Sequence, residues 1–243
     1  PPNINRFLPS LGRYFYSVGH HEIVVHLYVQ SRAKVDLADG PVTLTQQTDY
    51  PWDGIVCLNF EMCTPRTFTL KLRKPGWCRG GQVYLNGREV SAEGDFIRGY
   101  FVFTREWQPG ETLRLQWAMP AGLVYPHPKI RADIGKAALM RGPLVYCLEV
   151  ADQIVPLGQL FFPGSGSFNS EFRPDVLEGV VVVSGQAKQV VSNDWGDELY
   201  RHRPSDYQKV PFRAIPYYAW DNREAGAMRV WLPLAPEAGD SES

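Results

Sequence analysis

The sequence predicts a mainly β protein: two antiparallel β-sandwich units, over 18–120 and 121–233, with one amphipathic helix over 1–17 before them and a disordered polar tail, 234–243, after. Three observations carry this. Apolar and polar residues alternate with period two over most of the chain. Turn signals break the alternation roughly every 8–12 residues, the spacing of short strands in a sandwich. Only the opening stretch, with Ile4, Phe7, Leu8, Leu11 and Phe15, repeats at helical spacing. Proline suits the first turn of a helix, where its missing N–H would be unpaired anyway. A lone amphipathic helix has no partner helix in such a chain, so it reads as left over from a helical region upstream.

The strands follow in order. EIVVHLYV (22–29) is a dense β-branched run expected to be buried on both faces. VTLT (42–45) alternates, and VCLNFEM (56–62) puts Val56, Leu58, Phe60 and Met62 on one face. In TFTLKLR (67–73), Phe68, Leu70 and Leu72 point inward and the Thr, Lys and Arg residues outward. Asn86-Gly87 between QVYL and REV signals a type I′ hairpin, whose two central residues need positive φ. GYFVFTR (99–105) and ETLRLQW (111–117) pair around Pro109-Gly110. Phe68, Leu70, Leu72, Val83, Leu85, Leu113 and Leu115 are the expected core, with no long helix between 40 and 118.

The proline-rich MPAGLVYPHP (119–128) leaves the first unit. KAALMRGPLVYCLEV (136–150) reads as strand, kink at Gly142-Pro143, strand. The stretch 152–178 reads as loop; 180–191, VPFRAI (210–215) and MRVWL (228–232) supply further strands.

Composition narrows function. With 44% hydrophobic and 21% charged residues the chain is globular, and a net charge of −1 gives no reason to expect nucleic acid or an anionic membrane as partner. No apolar run reaches the roughly 20 residues of a membrane span. Cys57, Cys63, Cys78 and Cys147 fit no metal or redox spacing. Cys57 and Cys63 could meet across a bend, but unpaired thiols are favoured, which leans toward a reducing, cytoplasmic compartment.

PPNINRFLPSLGRYFYS, TDYPWDG, RGPLVYCLE and IPYYAWDNR, with LRKPGW and VYLNG between them, occur in one order along the chain. Together they resemble the C-terminal part of the glycoside hydrolase family 127 β-L-arabinofuranosidases, long catalogued as a domain of unknown function. The resemblance runs from Pro1 to about Leu232. It implies that an (α/α)6 barrel upstream carries the chemistry and that β-sandwiches follow it. Pro1-Pro2-Asn3 matches the end of a family motif in which a Cys-Cys pair comes directly before. In the family one of those cysteines is the nucleophile and both hold zinc, with an acid/base glutamate further upstream. None of these has a matching position here, so the resemblance assigns this chain no catalytic residue, no metal ligand and no cofactor, and implies that it is inactive alone.

The residues themselves offer little chemistry. A thiolate nucleophile needs a cation, metal or helix N-terminus to lower its pKa, and the four cysteines sit in or beside strands. His20, His21 and His26 form the only histidine cluster, but His21 and His26 fall on opposite sides of a strand, so a solvated turn is the preferred reading. Glycoside hydrolysis commonly uses two nearby carboxyl groups, and Asp53, Asp133, Asp194 and Asp221 cannot be paired from sequence. The loop Tyr50-Pro51-Trp52-Asp53-Gly54 is the candidate substrate-binding element. Tyr50 and Trp52 either stack on a sugar at a cleft edge or pack, while Asp53 before glycine suits a turn. Tyr217, Tyr218 and Trp220, near Asn222 and Arg223, pose the same choice.

Three functions compete: the C-terminal sandwich region of such a hydrolase, a stand-alone carbohydrate-binding module, and a structural or oligomerisation segment. The opening helix favours the first, since a self-contained module has little use for it. The expected partners are the upstream barrel, carbohydrate, and a second copy of the chain in a homodimer.

Overall fold

A computed structural model describes residues 2–90, 95–191, 195–202 and 204–236. The chain divides into two compact units at Met119/Pro120.

The opening helix is short. It is α-helical only over Pro2–Phe7 (α1) and continues as a 3-10 helix over Leu8–Tyr14. Pro9 has no N–H to give and its ring crowds the carbonyl four residues back, which ends the α ladder. The apolar stripe is uncovered: Ile4, Phe7, Leu8 and Tyr14 are all at least half exposed.

The first unit is a sandwich of two sheets. Its strands are β1 (Tyr16–Gly19), β2 (Glu22–Val25), β3 (Ser31–Leu37), β4 (Gly40–Thr48), β5 (Ile55–Glu61), β6 (Arg66–Arg73), β7 (Gly81–Leu85), β8 (Arg88–Glu89), β9 (Asp95–Ile97), β10 (Tyr100–Trp107) and β11 (Thr112–Trp117). One sheet runs β1-β2-β6-β10-β9, the other β3-β4-β5-β11-β7-β8. Pairing is antiparallel except for β2 with β6. The run 22–29 makes a shorter strand than expected, ending at Val25, but Ile23, Val24 and Val25 are buried on both faces.

Alternation works as the sequence predicts. Val56, Leu58 and Phe60 of β5, Phe68, Leu70 and Leu72 of β6, and Leu113 and Leu115 of β11 are buried, as is Val83; Leu85 is half-buried at the edge of the core. Trp107 fills the centre, its ring 5.0 Å from Phe60 and 5.4 Å from Phe68, with Nε1 donating to the Phe68 carbonyl at 3.0 Å. Asn86 and Gly87 have φ of 48° and 85°, the two left-handed residues that a type I′ turn requires.

The second unit has β12 (Ala121–Val124), β13 (Lys136–Arg141), β14 (Leu144–Glu149), β15 (Leu160–Phe161), β16 (Asn169–Arg173), β17 (Val180–Val190), β18 (Tyr207–Pro216), β19 (Met228–Arg229) and β20 (Trp231–Pro233). They form one hydrogen-bonded path, β12-β13-β14-β18-β17-β15, with β16, β19 and β20 attached at its sides. Ala137, Leu139, Tyr146 and Leu148 share a core with Val183, Ala187, Val210 and Phe212.

Residues 152–178 are not all loop: β16 pairs with β17 from Asn169↔Ser184 to Arg173↔Val180. Its residues are almost all exposed, so no apolar alternation announces it. Beyond β20, Leu234 and Ala235 are held by hydrogen bonds to Gly135 and Phe162, while 237–243 lie outside the described residues.

Candidate functional site

The loop joining β4 to β5 carries Tyr50, Trp52 and Asp53. It is a tightly closed turn. The Trp52 and Asp53 N–H groups both donate to the Asp49 carbonyl, at 2.9 and 3.2 Å. Asp53 Oδ1 accepts from the Ile55 N–H at 2.6 Å, so this carboxylate shapes the turn, as its position before Gly54 suggests. Thr48 Oγ1 donates to the Ile55 carbonyl at 2.6 Å and accepts from the Tyr50 N–H at 3.0 Å. The Tyr50–Pro51 peptide is cis. The Gly54 carbonyl takes the Trp117 N–H at 2.9 Å, and a Cβ at Gly54 would lie 2.1 Å from the Trp117 carbonyl oxygen. Only glycine fits there.

The two rings differ in burial. Tyr50 is half-buried, lies nearly parallel to Trp77 at 6.4 Å, and accepts from Trp77 Nε1 at 3.3 Å. It also meets Tyr28 edge-on at 6.0 Å. Burial raises both phenol pKa values, that of Tyr28 strongly. Tyr50 is therefore part of an aromatic wall on the core. Trp52 is 53% exposed at its rim, and Asp53 is exposed beside it. This loop can offer a ring face and a carboxylate to a ligand; it holds no nucleophile with an adjacent base.

All four cysteines are unpaired. Burial pushes the Cys78 thiol up, and its Sγ donates to the Gly80 carbonyl at 2.8 Å. Cys147, fully buried and near Glu149, is pushed up to about 12. Neither is a thiolate at neutral pH.

The histidines separate. His21 Nδ1 lies 3.4 Å from Asp39, while His26 bridges Ser17 (Nε2, 2.7 Å) and Tyr100 (Nδ1, 2.9 Å). Among the described residues no three His, Cys, Asp or Glu side chains come together to hold a metal. Nor do the carboxylate candidates converge: Asp133 pairs with Lys136 at 3.2 Å, Asp221 lies in the second unit in the turn after β18, and Asp194 lies outside the described residues.

The second aromatic group forms a turn after β18. Tyr217 and Trp220 are parallel within 10° at 6.0 Å, and Tyr217, Tyr218 and Trp220 are all exposed. Arg223, three residues after Trp220, is held by two carboxylates over seventy positions away, which no local sequence pattern announces. Nε donates to Glu149 Oε2 at 2.9 Å; Nη1 and Nη2 donate to Asp152 at 3.0 and 2.6 Å; Nη2 also reaches Glu149. These partners raise the guanidinium pKa, so Arg223 is a fixed cation. The Asp221 N–H donates to Glu149 Oε1 at 3.2 Å.

Comparison with known proteins places both units. Residues 22–119 match the β-L-arabinofuranosidase GH127 middle domain, and residues 121–233 match the glycoside hydrolase family 127 C-terminal domain. The chain belongs to glycoside hydrolase family 127. Their junction falls where the structure divides. A non-reducing end β-L-arabinofuranosidase of Bifidobacterium longum subsp. longum is 32% identical over 95% of the chain. The crystal structure of a GH127 β-L-arabinofuranosidase from Geobacillus stearothermophilus T6 is 44% identical over 97% of the chain, with a TM-score of 0.88. A further GH127 β-arabinofuranosidase structure matches at 31% identity over 96% of the chain and a TM-score of 0.83. The chain spans 36% of the Bifidobacterium relative and 37% and 38% of the two structures.

Proposed function

We propose that these two sandwiches belong to an enzyme that removes terminal β-L-arabinofuranose from its substrates, and that they serve it as architecture and as part of the substrate cleft. The observation that carries this reading is the match along both domains to relatives named for that activity, at up to 44% identity. A stand-alone binding module fits less well, because both units match domains of longer hydrolases.

Among the described residues no three ligands come together as a zinc site would require, and the buried Cys78 and Cys147 thiols stay protonated. The cysteine nucleophile, the zinc and the acid/base glutamate belong, on this reading, to an (α/α)6 barrel outside residues 1–243. Within the chain, Trp52 lines the cleft and stacks on a sugar, Tyr50 backs it, and Asp53 holds the turn that presents it.

The test compares the chain alone with the chain joined to its upstream coding sequence, on an aryl β-L-arabinofuranoside. The chain alone should release no L-arabinose, because losing a nucleophile typically removes about six orders of magnitude of rate. Zinc-dependent release by the chain alone would overturn the reading. In the longer protein, Trp52→Ala should raise KM roughly tenfold with kcat little changed, as for loss of a stacking contact made equally in ground and transition states.

A further inference from the structure

The two sheets of the first unit treat their outward faces differently. On the β2-β6-β10 face polar groups are closed on one another. Lys71 Nζ lies 2.5 Å from Glu22, Thr69 Oγ1 lies 2.9 Å from Thr104 Oγ1, and His26 ties Ser17 to Tyr100. On the opposite sheet the margins are closed, by Arg32 Nη2 on Glu61 at 2.7 Å and Gln82 Nε2 on Glu89 at 3.3 Å, while the rows between them are left open.

There a cross-strand row runs Gln47–Cys57–Arg114–Tyr84 across β4, β5, β11 and β7, each pair in direct register. Neighbouring rows place Asn59 opposite Thr112, and Gln116 opposite Gln82. These residues are the outward half of each strand, because Val56, Leu58, Val83, Leu113 and Leu115 take the inward half. All of these outward residues but Gln82 border a groove of about 450 Å3, within the range of small-ligand sites. The groove begins one rung beyond the Thr48↔Val56 pair that closes the 50–54 loop. No carboxylate lines it, and among the described residues Arg114 has no ion-pair partner. Its one internal side-chain bond is Asn59 Nδ2 to Gln47 Oε1, at 3.4 Å.

We propose that this face is a saccharide-binding groove. Its chemistry suits the ligand. The amides of Gln47, Asn59 and Gln116 each present a donor and an acceptor to vicinal hydroxyls, and the Arg114 fork donates to hydroxyl or carboxylate oxygens. Tyr84 supplies a ring for the C–H face of a sugar, and the small Cys57 side chain leaves depth at the centre of the row.

Cys57 makes the test direct, since it lies in the groove while Cys63 is exposed away from those lining residues. The purified chain is titrated calorimetrically with arabinotriose and with trigalacturonate; the neutral probe rests on the proposed activity, the acidic one does not. N-ethylmaleimide labelling is then mapped by mass spectrometry. The expected result is binding of at least one trisaccharide, slowed alkylation of Cys57 with Cys63 unchanged, and an affinity loss of about tenfold for both Arg114→Ala and Tyr84→Ala. The inference is overturned by the absence of binding for both trisaccharides at about 10 mM, or by binding that Arg114→Ala and Tyr84→Ala leave intact. Loss confined to Trp52→Ala assigns the ligand to the 50–54 loop instead. The arabinofuranosidase reading survives any of these results, because it is tested by catalysis in the longer protein.

Discussion

The two units reach stability by different means. The first closes two separate sheets over a single contiguous core, pinned by Trp107 between Phe60 and Phe68. The second threads one hydrogen-bonded path around two smaller clusters and carries a charge cluster at the end of β14, Arg223 on Glu149 and Asp152. Ring packing tolerates local change only by leaving a void, whereas a charge cluster fails when one member is lost and the others are stranded in low dielectric. The same architecture thus carries two kinds of weakness, and each can be attacked alone.

The largest effect should come from Trp107→Ala, which removes a fully buried indole and its hydrogen bond. A loss of about 4 kcal/mol is expected, read as collapse of hydrogen-exchange protection across β5, β6 and β10. Unchanged protection there would break the comparison. Arg223→Ala should cost the second unit about 3 kcal/mol, since the Glu149 and Asp152 side chains are only 10% and 8% exposed and would be left unpaired. Its protection loss should centre on β14 and β18. If Glu149→Gln combined with Asp152→Asn in the Arg223→Ala background restores most of the protection, the charge-cluster account is sharpened.

The third effect is one of association. Ile4, Phe7, Leu8 and Tyr14 are exposed, and covering one such side chain is worth roughly 1.5–3 kcal/mol. The chain should form a concentration-dependent dimer in sedimentation, relieved by deleting residues 1–16. A monomer at high concentration with fast-exchanging amides over 4–15 would show that this segment frays instead.

The smallest effect is a pH dependence confined to the first unit. Burial, aided by Arg73, holds His26 below the usual 6.5. The unfolded chain therefore binds this proton more readily, so stability falls as pH drops through the unfolded-state value toward the folded one, and is independent of His26 above it. The urea midpoint should decline as pH falls from about 7.5 through the unfolded-state value of 6.5, and His26→Gln should flatten that decline. An equal slope in the variant would assign it elsewhere.

What was legible in the sequence follows from the same contrast. Strand interiors such as 67–73 announce themselves, because one face meets a core and the other water, and the Asn86-Gly87 turn needs left-handed residues that few others supply. The change from α to 3-10 at Leu8 is invisible in the sequence, because the helical spacing of Ile4, Phe7 and Leu8 says nothing of the missing N–H at Pro9. β16 escaped because an exposed strand held by backbone bonds to β17 has no apolar period to show. At the candidate site, Asp53 was legible as a turn residue, whereas the burial of Tyr50 depends on Trp77 and Tyr28, which only folding brings near. The groove residues were readable as outward positions, but their alignment across four strands depends on register. Arg223 and its carboxylates carried no local signal at all.

The aromatic wall behind the 50–54 loop has an optical consequence. Trp77, Tyr50, Tyr28, Trp117, Phe101 and Phe96 follow one another with centroid separations of 6.4, 6.0, 5.8, 6.2 and 5.4 Å. Chromophores this close, held in a fixed chiral array, mix their electronic transitions. The near-ultraviolet circular dichroism of the protein should therefore be dominated by this array, and occupancy at Trp52 or a small shift of Tyr50 should register in it without any added label.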